Sequence, residues 1–205
     1  MLSERHSGGV PRIARHPVRT ARQMELLDRL EALFLAEGFL NVTLDELASR
    51  LRCSKSTLYA LAPSKEQLSV QVVGHFFRKA ASRVEQRIAG IASVRERLSS
   101  YLAAASDELR PATREFLADI AAFPPARATY ELNARAAAER IRQLIADGVR
   151  DGEFGDVHAT LVAEMVSLTI EGIRLGTIAE RTGLSDAEAF AALSTFLLSG
   201  LAPNR

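Results

Sequence analysis

Residues 43–68 read TLDELASRLRCSKSTLYALAPSKEQL. Three helix starts are written into this stretch. Thr43 precedes Glu46 by three positions, so hydroxyl and carboxylate can cap each other's backbone N–H across a first turn. The segment that follows places Leu44, Leu47, Ala48 and Leu51 on one face. Ser54 is positioned to cap a second, short segment whose Leu58 and Leu61 face inward. Pro63 ends that segment, and Ser64 with Gln67 opens a third as a further capping box, beginning on Lys65.

Outward from this stretch the apolar spacing stays helical, with no convincing strand alternation. Upstream, Thr20 and Gln23 form a capping box for a helix carrying Leu26, Leu27, Leu30, Leu33 and Phe34, stopped at Gly38. Residues 20–62 are therefore expected to form three short helices around one small core. Downstream, Leu68, Val72, Phe76, Ala80, Val84 and Ile88 mark a helix of about 25 residues, ~37 Å long, before Gly90. Further helices are expected at about 93–109, 112–122, 126–151, 157–181 and 186–200, the last capped by Ser185 with Glu188. Proline or glycine stops each of the first four: Pro111, Pro124 with Pro125, Gly152 and Gly183. The reading is an all-α protein of about nine helices.

Two short helices at 44–50 and 54–60, joined by a turn at 51–53, describe a helix-turn-helix. Lys55, Ser56 and Thr57 would occupy the first exposed turn of the second helix. There a lysine can donate to guanine, a hydroxyl can donate or accept, and a threonine methyl can touch thymine. Tyr59 and Thr43 can donate to phosphate oxygens beside the groove. Lys65, at the start of the long helix, combines an ammonium with free N–H groups and a positive dipole end, which suits a phosphate. The proline break thus points a second helix start toward a DNA backbone.

The stretch resembles the N-terminal domain of TetR-family transcriptional regulators. The likeness rests on Thr43, Leu47–Ala48, Ser54, Thr57–Leu58–Tyr59 and Lys65–Glu66 with Leu68, in the family's order and spacing. It spans about 45 residues, and the helical remainder agrees in length and helix number rather than by motif. The resemblance implies a homodimeric, ligand-responsive, cytoplasmic regulator, acting as a repressor on a pseudo-palindromic operator. The implied DNA-facing set is Arg22, Thr43, Ser54, Lys55, Ser56, Thr57, Tyr59 and Lys65. Three departures from the family pattern stand out. Arg52 replaces the usual turn glycine, Leu61 and Ala62 replace an aromatic or histidine pair, and Asp45 stands where some members carry a base. They support a rival reading, a small-molecule-binding protein of the same fold that has lost DNA binding.

Composition fits this reading. In 205 residues, 47% are hydrophobic and 25% charged, as in an ordinary globular protein. The single cysteine excludes an intramolecular disulfide. No stretch is long and apolar enough for a membrane span, and the N-terminus lacks an apolar leader. Net charge is +1, yet residues 1–22 alone hold five arginines against one glutamate. That basic arm suggests an anionic partner met at one end. The expected division is an arm at 1–19, a DNA-binding head at 20–66 and a ligand-binding, dimerising body at 67–205.

For the body the sequence offers candidates rather than motifs. Phe76, Tyr101, Phe116, Ile120, Phe123, Tyr130, Met165 and Thr169 would line a pocket for a medium-sized, largely apolar effector. Leu161, Met165, Leu168, Gly172 and Leu175 on one helix, with Ala189, Leu193, Phe196, Leu197 and Gly200 on the next, would form a dimer seam. Gly172 and Gly176 repeat at i, i+4, a spacing that permits close helix approach. His6, His16, His75 and His158 show no metal-ligand spacing, and no catalytic motif or cofactor signature appears. Neither a metal, a cofactor nor an enzymatic role is expected.

Overall fold

The computed structural model describes residues 20–203. The expected basic arm at 1–19 lies outside them. Ten helices account for the architecture, with no strand among the described residues. α1 (Ala21–Glu37), α2 (Leu44–Leu51) and α3 (Lys55–Tyr59) form the head. α4 (Lys65–Ile88) leaves it, and α5 (Val94–Leu109), α6 (Arg114–Ala122), α7 (Pro124–Arg150), α8 (Ala159–Arg174), α9 (Thr177–Thr182) and α10 (Asp186–Gly200) complete the chain.

The tenth helix comes from a break. The segment expected at 157–181 divides at Gly176, which takes a left-handed φ of 80° and starts α9. That backbone favours glycine, and a Cβ there would also come within 3.0 Å of the Arg114 guanidinium. Gly172 also packs within its own chain, because a Cβ on it would meet Ile178 at 3.2 Å. The close approach that the Gly172–Gly176 spacing permits is thus used within the chain, at the α8–α9 corner. Pro124 and Pro125 likewise act differently from expectation. They occupy the first two positions of α7, where a missing N–H costs nothing. Ser64 caps α4 by accepting from Gln67 N, a single cap where a reciprocal box was expected. The boxes at Thr20, Thr43 and Ser185 are complete.

Two large cores and a small third cluster, Ile173 with Ala189 and Phe190, hold the chain together. The first joins Leu27, Leu30 and Phe34 of α1, Leu47 of α2 and Leu58 of α3 to Val73, Phe76 and Phe77 of α4 and Phe116 and Ile120 of α6. The head does not keep a private core, since α4 and α6 pack into it. Within this core Phe76 and Phe116 meet edge to face at 5.8 Å, and Phe39 meets Phe123 at 6.2 Å. The second core unites the end of α4 with α5, α7, α8 and α10 through Val84, Leu98, Ile141, Leu144, Ile145 and Val166.

α6 clamps the head from the body side. Thr113 donates both its N–H and its hydroxyl to the Leu35 carbonyl at the end of α1. Asp119 accepts from the N–H groups of Phe39 and Leu40 in the α1–α2 turn. Gly38 makes this possible: its φ is +78°, and a Cβ would collide with the Asp119 carboxylate. Immediately before α6, the Ala112 carbonyl accepts from Arg174 of α8 at 2.8 Å. A continuous polar path thus runs from α8 to α1.

Candidate functional site

The head presents a short second helix whose inner face is consumed by packing. Leu47, Ala48, Leu51, Leu58, Leu61 and Ala62 are buried, which leaves Lys55, Ser56 and Tyr59 facing water. Leu61 and Ala62, unusual for the resemblance, therefore fill the small core. The turn between α2 and α3 is made by Arg52 in the left-handed region (φ 51°, ψ 48°). Cys53 N donates to Ala48 O at 2.9 Å and completes the helix end. An arginine thus supplies the conformation that the family pattern gives to glycine, at a cost of about 1 kcal/mol.

At the start of α3 the hydroxyls form a hub. Ser54 Oγ accepts from Thr57 N and lies 2.7 Å from Ser56 Oγ and 2.8 Å from Thr57 Oγ1. Lys55, next to this hub, places its ammonium 2.6 Å from the Asp45 carboxylate of α2. Asp45 raises the Lys55 ammonium above the usual lysine range. Both groups are exposed, so solvent screens the pair and an anionic or base partner can exchange into it. Asp45 is the residue that sequence reasoning undervalued; its acidic type beside a lysine-bearing helix start was the available signal.

The two flanking helix starts carry Thr43 and Lys65. The Thr43 hydroxyl is engaged with Glu46, donating at 2.8 Å and accepting from Glu46 N at 3.2 Å. The Lys65 ammonium donates to Leu40 O at 2.6 Å, fastening the start of α4 to the α1–α2 turn. Two of its three N–H groups remain for another acceptor. Tyr59 is 49% exposed, and Arg22 is exposed in the first turn of α1. Ser54, Ser56 and Thr57 are thus joined in one hydroxyl cluster with Lys55 next to it in sequence, whereas Thr43 and Lys65 bond elsewhere in the head and Arg22 and Tyr59 are exposed.

The eight residues expected to line an effector pocket do not share one cavity. Phe76, Phe116 and Ile120 are buried in the first core, with Phe123 and Tyr130 packed against it. Helical spacing marks these side chains as inward-facing but does not distinguish a cavity wall from a packed neighbour. Tyr101 lines a cavity of about 320 Å³ between α4, α5 and α7, together with Phe77, Val84, Glu108, Asn133 and Arg140. Burial pushes the Tyr101 hydroxyl up to about 12, with the nearby Glu85 adding to the shift. Met165 and Thr169 line a different groove of about 420 Å³ between α8, α9 and α10, and Tyr130 borders a third, between α7 and α8.

The residues assigned to a seam also divide. Leu161, Met165 and Leu168 of α8 and its C-cap Leu175 are between 52% and 66% exposed, and Phe196 of α10 is 73% exposed. Ala189 and Leu197 are buried inside their own protomer and Leu193 is half-buried, so α10 contributes chiefly Phe196. One inward turn of α10 was consumed by the second core.

Comparison with known proteins locates this geometry. Residues 26–72 match the family described as "Bacterial regulatory proteins, tetR family". No curated protein matches the sequence. Among solved structures, a putative transcriptional regulator from Saccharomonospora viridis in complex with choline superposes with a TM-score of 0.75 at 21% identity, over 89% of this chain and 98% of that one. The reduced form of NemR from E. coli gives 0.73 at 19%, over 89% and 99%. A TetR-family transcriptional regulator from Agrobacterium tumefaciens gives 0.70 at 16%, over 89% and 98%. At such identities the likeness establishes the fold, and the matched segment covers the head. Residues 26–72 thus carry the head of the tetR family of bacterial regulatory proteins, on a fold shared with solved transcriptional regulators.

Proposed function

We propose that the protein is a cytoplasmic, ligand-responsive repressor that binds a pseudo-palindromic operator as a homodimer, through the head at 20–66, and answers an effector through the body at 67–205. One observation carries the reading: α3 exposes Lys55, Ser56 and Tyr59 around a hydroxyl hub, between two capped helix starts. Lys55, Ser56 and Thr57 read base edges; Arg22, Thr43, Ser54, Tyr59 and Lys65 contact the sugar-phosphate backbone. The rival reading, a head that has lost DNA binding, drew on Arg52, Leu61 and Ala62. Arg52 nonetheless takes the left-handed turn, and the other two are core residues.

Dimerisation uses the exposed apolar face of α8 with Phe196 of α10, building a four-helix bundle across a two-fold axis. For the effector, the α4–α5–α7 cavity offers an apolar wall with the Tyr101 hydroxyl and Asn133 carboxamide as polar handles. A same-fold relative binds choline, and the Glu85 and Glu108 carboxylates at this cavity suit a ligand with an apolar body and a polar or cationic end. A ligand there pushes on α4, which shares its first half with the head core and shifts the spacing of the two heads. Selection of random duplexes by the full-length protein tests the reading. Enrichment of a two-fold-related pair of half-sites is the expected result; a pool that stays random at low salt contradicts it.

A further inference from the structure

We propose that Asp28, Glu31 and His75 form a site for one divalent transition-metal ion of the zinc or cobalt class, at the joint between α1 and α4. Asp28 and Glu31 stand three residues apart and so share one face of α1. His75 meets them from α4, its Nε2 lying 2.9 Å from Asp28 Oδ1 and 3.5 Å from Glu31 Oε2. One ligand atom from each of the three falls within 4.8 Å of the other two. A tetrahedral ion with nitrogen and oxygen ligands at about 2.0–2.1 Å separates its ligands by about 3.4 Å. Small movements therefore close the three atoms around a cation.

A second observation singles this cluster out from an ordinary ion-pair network. Glu31 and His75 are 8% and 7% exposed, and Glu31 Oε2 is buried without a hydrogen-bond partner. An anionic oxygen left unpaired in a core is costly, and a cation bound there removes the cost. The other carboxylate oxygens face Lys79, whose ammonium donates to Asp28 Oδ1 at 2.7 Å and Glu31 Oε1 at 3.0 Å. Lys79 and then His75 hold the Asp28 carboxyl below its usual range. With His75 neutral, as a metal-binding imidazole must be, two carboxylates against one ammonium leave the cluster one negative charge in excess. A divalent ion that displaces Lys79 brings it to neutrality, and the partly exposed lysine stem can swing toward water. The spacing carries no His pair, so the sequence alone shows no metal motif. Because its ligands come from both helices, the ion staples the head to α4.

The test titrates the dialysed full-length protein with Zn²⁺ by calorimetry and with Co²⁺ by its visible ligand-field spectrum, alongside thermal unfolding. One ion per protomer is expected, with a thermal midpoint that rises on binding. Glu31→Gln and His75→Ala should each weaken binding about tenfold or more, and Lys79→Met should tighten it by about tenfold because the competing ammonium is gone. The Lys79→Met arm decides the matter even where a ligand variant folds poorly. No binding below about 100 µM in both wild type and Lys79→Met overturns the site. So does binding that Glu31→Gln and His75→Ala leave unchanged, since the ion is then held elsewhere.

Discussion

Phe196→Glu separates the protomer's own stability from its assembly. The side chain is 73% exposed, so in a lone protomer it contributes little, and its replacement should leave the helical content and the monomer fold intact. In the proposed seam the same exposure becomes contact area. Fully burying a phenylalanine is worth about 1.5–3 kcal/mol, so the exposed three quarters can supply about 1–2 kcal/mol per copy. Two-fold symmetry doubles this to about 2–4 kcal/mol, or roughly 30- to 1,000-fold in the dimer dissociation constant. Glutamate adds the desolvation of two like-charged carboxylates, a further several kcal/mol if they remain ionised. Wild type should therefore sediment as a dimer at micromolar concentration, Phe196→Ala should dissociate measurably, and Phe196→Glu should be monomeric with an unchanged far-ultraviolet spectrum. A Phe196→Glu protein that keeps the wild-type dimer constant refutes the seam.

Arg52→Gly should stabilise the protein by about 0.5–1 kcal/mol, read as a higher denaturation midpoint, because glycine occupies the left-handed region without the Cβ clash. An unchanged or lower midpoint would show that the arginine is not strained. In DNA binding, Lys65→Ala should weaken operator and random duplexes alike and reduce the salt slope by about one. Lys55→Ala should instead relax preference at one position per half-site by about 10- to 100-fold, and a uniform loss would make Lys55 a backbone contact. Burial holds the Tyr101 hydroxyl protonated in the folded state up to about 12, above the ordinary tyrosine range. Its contribution, about 2–3 kcal/mol, is present below pH ~10 and is lost as pH rises toward 12. Alkaline melting curves of wild type should therefore fall more steeply than those of Tyr101→Phe, and parallel curves would remove the assignment.

The head was legible because its signals are local. The capping pairs at Thr20 and Thr43, the serine before α3 and the proline before α4 each act within one turn, and each lies where its spacing put it. What escaped depends on distant neighbours. The break at Gly176, where the backbone turns left-handed with Arg114 close by, has a neighbour more than sixty residues away in the chain. Phe76 and Phe116 read as pocket walls until each is found filling the space before the other. Leu197 reads as surface for a partner until the second core claims it. Asp28, Glu31 and His75 bear no recognisable spacing because the histidine lies 47 residues from the aspartate and meets it only through the α1–α4 crossing.

Footprinting of the full-length protein on the DNA upstream of its own coding sequence, with stoichiometry measured on the same duplex, tests the central claim most directly. The account predicts two protected half-sites in successive major grooves, about 34–36 Å or a multiple of a helical turn apart, with two protomers per site, and loss of protection in Phe196→Glu. A stable dimer that protects no segment and binds that DNA no better than random sequence at low salt would contradict it.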